Sequence, residues 1–241
     1  STYPFCMAPK CSNLEDMMGS GGSNYSIMGI PRGTSGGWVV PTKRMVDSYE
    51  DGDLRLPESI VVVEGHSEGE NFYYEKFVDA KGYTCPNGKD YRYMVKKYYH
   101  PPYTYSLRAN ENFPIYRYSG ALLLLSECLV DEGKASEALP YINQVRARAG
   151  LKALSSCSLE DVSNEMKHEL AFENHRWSDL KRMGKAKSVM TEYGKYIKEL
   201  YPWVKSTNND GCFIIDDFRM IYAIPTRELE INSQLQQNPG Y

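Results

Sequence analysis

The sequence predicts a helical second half behind a loop-rich first half with short strands, and three observations carry that reading. Apolar residues recur at helical spacing through residues 111–200. Two of those stretches, joined at Gly133, make a 34-residue helix–turn–helix unit over 116–149, which is the length of one tetratricopeptide-like repeat. Residues 1–110 are instead rich in Gly, Pro and Tyr, with only short apolar runs.

In chain order, 19–30 and 29–37 read as Gly/Ser-rich loops. Residues 60–64 read as a short strand, 71–79 and 91–99 as further strands, and Pro101-Pro102 closes this region. The first helical stripe is Tyr118, Leu122, Leu125 and Leu129, stopped by Gly133. Ala135, Leu139, Ile142, Val145 and Ala149 form the second, closed by Gly150. Ser158 is a suitable N-cap for a third helix, with Asp161 at the third helical position. That third stripe runs through Val162, Met166, Leu170, Trp177 and Leu180 to Gly184, and a shorter helical piece follows to about residue 200. The tail holds apolar runs at 213–215 and 221–225, then a turn of helix at 227–231. A single tetratricopeptide-like unit cannot bury both faces. Either the third helix covers the open face or its stacking partners lie outside these residues.

The chain has 241 residues and a net charge of −3. Residues 1–110 carry 12 basic and 13 acidic side chains, and 111–241 carry 16 and 18. Neither half is a basic patch, which argues against nucleic acid as a partner. The longest apolar stretch, 121–125, is far short of the ~18 residues a spanning helix needs. The six cysteines (Cys6, Cys11, Cys85, Cys128, Cys157, Cys212) contain no CxxC spacing and are too sparse for a disulfide scaffold. Cys6 and Cys11 are close enough to close a small loop, and Cys128 reads as a small core residue. Tyrosine is in excess, 20 against 7 Phe and 3 Trp. A flat apolar ring with a polar tip suits wet recognition surfaces.

Catalytic motifs are few. His168-Glu169 suggests zinc, but the position four after His168 is Phe172 and the next histidine is His175, so no metal is expected. There is no GxSxG, phosphate-binding loop or dinucleotide fingerprint, and no cofactor is expected. Glu165, Glu169 and Glu173 recur every four residues, followed at intervals of three by Arg176, Asp179 and Arg182. A paired-carboxylate glycosidase is conceivable. However, each acid has a basic helical neighbour, or Arg146 and Arg148 on the preceding helix, within reach. Ion pairing keeps carboxylates charged, which suits a structural charge network (Glu169, Glu173, Arg176, Asp179, Arg182) better than a general acid. Sugar binding needs exposed aromatic faces flanked by hydrogen-bonding groups, usually on loops. The candidates are Tyr25 beside Asn24, Trp38 after Gly36-Gly37, Tyr73-Tyr74, and the Tyr98-Tyr99-His100-Pro101-Pro102-Tyr103 cluster.

Residues 111–241 resemble the C-terminal region of the SusD/RagB family of surface glycan-binding lipoproteins. The resemblance is an ordered series: Ile115-Tyr116-Arg117-Tyr118 with Leu122 to Glu127; Tyr141-Ile142-Asn143-Gln144-Val145-Arg146-Ala147-Arg148-Ala149-Gly150; Glu169-Leu170-Ala171-Phe172-Glu173-Asn174-His175-Arg176-Trp177-Ser178-Asp179-Leu180-Lys181-Arg182; Tyr222-Ala223-Ile224-Pro225 with Glu228-Leu229 and Asn232; and Gln237-Asn238-Pro239-Gly240-Tyr241. Over 1–110 it is looser, carried by Trp38-Val39-Val40-Pro41-Thr42, Val46-Asp47-Ser48-Tyr49 and Asp51-Gly52-Asp53-Leu54-Arg55. The family usually has Arg where Met166 stands, Gly where Asn174 stands and often Trp where Met183 stands.

The resemblance implies a mainly α, SusD-like fold with tetratricopeptide-type helix pairs plus long loops and small β elements, in which 1–110 is the loop-rich middle region with short strands and 111–241 the helical C-terminal region. Complete members are longer and carry a lipidated cysteine after a signal peptide. The anchor and the other helical units are therefore expected ahead of this region. The implied protein is no enzyme. It binds oligosaccharide or another nutrient at the outer-membrane surface and delivers it to a SusC-like TonB-dependent transporter. Ligand contacts in the family come from variable loops, so Tyr25, Trp38, Tyr73 and Tyr74 are chosen on chemistry and loop context. Two other classes remain open: a glycoside hydrolase using the helix carboxylates, and a soluble tetratricopeptide scaffold.

Overall fold

The computed structural model describes residues 7, 9, 11–13, 37, 39–100, 112–204, 213 and 215–241. The chain divides into two compact units, Ser1–Asn174 and His175–Tyr241. The shift in composition near residue 110 and the division between units fall at different places. In the first unit the loop-rich segment and the helical repeat are packed together.

Among the described residues the first unit carries two five-residue helices ahead of its sheet, α1 (Lys43–Asp47) and α2 (Arg55–Ser59). Thr42 caps α1 by accepting from the Met45 amide at 3.2 Å. Three antiparallel strands follow: β1 (Ile60–Glu68), β2 (Asn71–Asp79) and β3 (Asp90–Val95), in the order β2-β1-β3. β1 begins with an unbroken apolar run, 60–63, because both its faces are covered there, and Ile60, Val62 and Val63 are fully buried. Ile60 and Val62 pack with Val46 and Tyr49, Leu56 and Ala80 in one core cluster. β1 extends to Glu68, longer than the expected 60–64, and β3 stops at Val95.

The helical part comprises α3 (Tyr118–Asp131), α4 (Ala135–Arg148) and α5 (Leu159–Glu169), with α3 against both α4 and α5. Gly150, at φ +76, closes α4 in the left-handed conformation that ends a helix at low cost for glycine. The capping box at α5 is as the sequence suggests. The Ser158 amide donates to Asp161 Oδ2 at 2.8 Å, and the Asp161 amide donates to Ser158 Oγ at 3.2 Å.

Two expectations are corrected here. The inward face of α3 is Leu122, Leu123, Ser126 and Glu127, whereas Tyr118 (70 % exposed) and Leu125 (40 % exposed) face outward. The run Leu122 to Leu125 is apolar on both sides, so periodicity alone did not set the phase. Cys128 lies on that outward stripe and is exposed, not core. Cys11 is buried, and Cys6, with which it was expected to close a small loop, lies outside the described residues.

The third predicted helix is two helices. α5 ends at Glu169, and the chain passes through left-handed Phe172 (φ 65) and Asn174 (φ 63). The second unit then begins with α6 (Arg176–Arg182), followed by α7 (Ala186–Leu200), a 3-10 turn (Asp217–Met220) and α8 (Thr226–Ile231). Asn tolerates this region better than most residues because its short amide bonds locally. Asn174 is also the position at which the family resemblance carries glycine. In this unit Gln237 clamps residue 224, accepting from the Ile224 amide at 2.8 Å and donating to its carbonyl at 2.9 Å.

Candidate functional site

The acidic stripe on α5 is the centre of a buried ion cluster. Glu165 accepts from Arg55 Nη1 at 2.6 Å and Arg146 Nη1 at 3.1 Å. Glu169 meets three guanidinium groups, Arg117 at 2.5 Å, Arg55 at 3.2 Å and Arg148. Glu173, beyond the helix break, takes Arg117 Nε at 2.9 Å and the Lys97 ammonium. Arg146 also grips Glu50 at 2.7 and 3.0 Å, and Arg55 grips Asp53. The pairs are tertiary rather than helical: Arg55, Lys97 and Arg117 reach in from other elements. In the second unit, Asp179 accepts from Arg182 at 3.0 Å, and Arg176 lies on the same helix.

The two α5 carboxylates respond oppositely to this setting. Burial alone would raise Glu169, but the Arg117 hydrogen bond and charge, with Ser119 and Arg148, bring it down to about 2. Burial pushes Glu165 up, only partly offset by Arg55 and Arg146. Ion pairing was expected to depress both, and at Glu165 desolvation wins. A cleft of about 490 Å³ opens beside the cluster, with Arg117, Arg148, Glu169 and Glu173 in its wall. Their hydrogen-bonding capacity is largely spent on each other. Among the described residues no group of three metal-ligating side chains occurs.

The aromatic candidates divide differently. Tyr25 and Trp38, with Tyr103, lie outside the described residues. Tyr73 and Tyr74 are on β2, on opposite faces of the sheet. Tyr73 stacks on its cross-strand partner His66, with ring centres 5.3 Å apart. Tyr74 turns to Phe77, 5.0 Å away, and Phe77 meets Tyr99 edge-on at 5.4 Å.

A β-bulge makes that second group possible. Glu64 pairs with Lys76 and Gly65 with Tyr74, so Glu75 is the extra residue. The shift brings Tyr74 to the face of Phe77. Gly65 is required there because a Cβ would lie 1.8 Å from the Tyr73 carbonyl oxygen. Asn13 fixes Tyr74 from outside the sheet. Its side chain accepts from the Tyr74 amide at 2.7 Å and donates to the Tyr74 carbonyl at 2.8 Å. Tyr99 is set by a turn in which its amide donates to the Lys96 carbonyl at 2.7 Å. Burial, reinforced by Tyr74, pushes the Tyr99 hydroxyl up to about 12, so it is a neutral donor at ordinary pH.

Phe77 and Tyr99 form one corner of a cleft of about 230 Å³, with Asp79 and Lys96 beside them. Perpendicular rings next to a carboxylate and an ammonium group suit the apolar face and hydroxyl edge of a sugar. Phe77, Asp79 and Lys96 were not singled out in the sequence. The alternation of β2 with the short Gly–His–Ser stretch opposite was the available signal.

The SusD family model matches residues 43–241. The SusD-like protein P2 of Formosa agariphila is 28 % identical over 224 residues, covering 85 % of this chain and 41 % of the relative. The starch-binding protein SusD of Bacteroides thetaiotaomicron is 26 % identical over 141 residues, covering 58 % of this chain and 23 % of the relative. The surface glycan-binding protein A from Bacteroides thetaiotaomicron has a similar fold, with TM-score 0.62 and 20 % identity over 99 % of this chain and 46 % of that one. A laminarin-binding SusD-like protein has TM-score 0.53 and 25 % identity, covering 86 % and 39 %. The chain therefore spans less than half the length of the curated relatives it matches.

Proposed function

The chain belongs to the SusD family, and we propose on that footing that it binds oligosaccharide at a bacterial outer-membrane surface. It hands the ligand to a SusC-like TonB-dependent transporter and is held at the membrane by a lipid anchor in a preceding segment. The observation that carries the binding reading is the aromatic corner of Phe77 and Tyr99, extended by Tyr74, over a sugar-sized cleft. Binding there is stacking plus hydrogen bonding, with no covalent step.

The same reading makes the protein a binder and not an enzyme. The carboxylates that a glycosidase would use are engaged by Arg55, Arg117, Arg146, Arg148 and Lys97. The proposed role of Glu169, Glu173, Arg176, Asp179 and Arg182 is to hold the scaffold. Affinity electrophoresis against starch, laminarin, mannan, xylan and pectin tests the reading. Retardation by at least one polysaccharide without release of reducing sugar is expected. Turnover abolished by Glu173→Gln would instead establish a hydrolase, and no retardation by any polysaccharide would remove the carbohydrate reading.

A further inference from the structure

We propose that Asp79 sets the ligand class of the Phe77–Tyr99 cleft, admitting neutral oligosaccharides and rejecting acidic ones. The inference rests on the carbohydrate-binding reading above and names which carbohydrates the site takes.

Among the described residues two charged groups reach the cleft wall, Lys96 and Asp79. The Lys96 ammonium is engaged, donating to the Pro57 carbonyl at 3.0 Å and meeting the Glu58 carboxylate at 3.5 Å. Asp79 ends β2 and is exposed, and among the described residues no cation or hydroxyl meets its carboxylate. The uncompensated charge of the cleft is therefore negative. Apolar walls from Val61 and Phe77 sit beside it, and they lower the local dielectric so that a charge there is felt more strongly than in open water.

Two consequences of opposite sign follow. An ionised carboxylate accepts from two neighbouring sugar hydroxyls, and such charge-assisted bonds are stronger than neutral ones. A uronate carboxylate brought to the same place meets a like charge, which works against binding. Asp79→Asn keeps the shape and removes the charge. Neutral ligands should bind about threefold more weakly to this variant, and acidic ones about tenfold more tightly. A side chain with a merely structural role would shift both in the same direction.

The test is calorimetric titration of the wild-type chain and Asp79→Asn with two matched probe sets. One holds malto-, laminari- and manno-oligosaccharides, the other oligogalacturonates and alginate oligomers. Binding of neutral members alone by wild type, with the crossed shift in the variant, is the expected result. Tight oligouronate binding by wild type, or no crossed shift, overturns the role of Asp79 while leaving carbohydrate binding intact. Absence of binding by every probe removes both.

Discussion

Arg117 holds Glu169 and Glu173 at once, donating from Nη1 to Glu169 Oε1 at 2.5 Å and from Nε to Glu173 Oε2 at 2.9 Å. Glu169 is the last residue of α5 and Glu173 lies past the left-handed Phe172. One guanidinium, placed just before α3, therefore spans the break that ends the third helix. Removing it leaves two buried carboxylates short of a partner. Arg117→Met should lower unfolding free energy by about 3 kcal/mol, read by urea denaturation. A loss near zero would mean the cluster contributes nothing to stability.

Acid should act through the same cluster. Glu169 sits at about 2 in the fold against the ordinary value of 4.5. Its contribution is fully present above about pH 4.5 and is lost as pH falls toward about 2, a loss of about 3 kcal/mol. Glu165 is raised, so its contribution is present below the ordinary carboxyl value and is lost as pH rises through its folded value. Stability should therefore rise as pH falls from neutral toward the ordinary carboxyl value, as Glu165 takes up its proton, and drop below about pH 4.5 as Glu169 does. Glu169→Gln should be less stable at neutral pH and show a flatter acid limb in pH-stepped urea titrations. An acid limb parallel to that of wild type would contradict the assignment.

Asn174, at φ 63, occupies backbone space that a β-branched side chain enters only with strain. Asn174→Gly should leave the melting temperature within a few degrees, whereas Asn174→Val should cost about 1–2 kcal/mol. Equal melting of the two variants by circular dichroism would show that the turn is not held left-handed.

The outward stripe of α3 bears Tyr118, Leu125 and Cys128, all exposed. Cys11 and Cys157 are buried, and burial raises the Cys157 thiol. A thiol reagent should label Cys128 well before Cys11 or Cys157. A preceding helical unit stacked on this stripe, as the proposed longer protein requires, should slow that labelling at least tenfold. Mass spectrometry of the labelled peptides reads both rates, and equal reactivity of Cys128 with and without that unit would place the unit elsewhere.

The helix pair was legible because its pattern has local causes, a 3.6-residue period and a glycine closing each helix, and the start of α5 was legible from its capping box at Ser158 and Asp161. The break after α5 was not, because Phe172 and Asn174 carry no glycine signal and the left-handed turn is held by tertiary groups. The Tyr98 hydroxyl donates to the Phe172 carbonyl at 3.3 Å, and Lys97 donates to the Ala171 carbonyl at 3.0 Å. The acids of the ion cluster stood out in sequence, but Arg55, Lys97 and Arg117 reach them from as far as 114 residues away. Tyr74 and Tyr99 were visible as loop-like aromatics. Their convergence depends on strand register and a one-residue bulge, which composition does not encode, and Tyr73-Tyr74, taken as a pair in the sequence, is split between the two faces of β2.

The most direct test of the account is calorimetric titration of a bound oligosaccharide against four single variants: Tyr74→Ala, Phe77→Ala, Tyr99→Ala and, on the opposite sheet face, Tyr73→Ala. Stripping a ring from the proposed corner should weaken binding about tenfold or more for Phe77→Ala and Tyr99→Ala, and less for Tyr74→Ala. Tyr73→Ala should stay within about twofold of wild type. Loss of affinity on Tyr73→Ala, with Phe77→Ala and Tyr99→Ala unchanged, would contradict it.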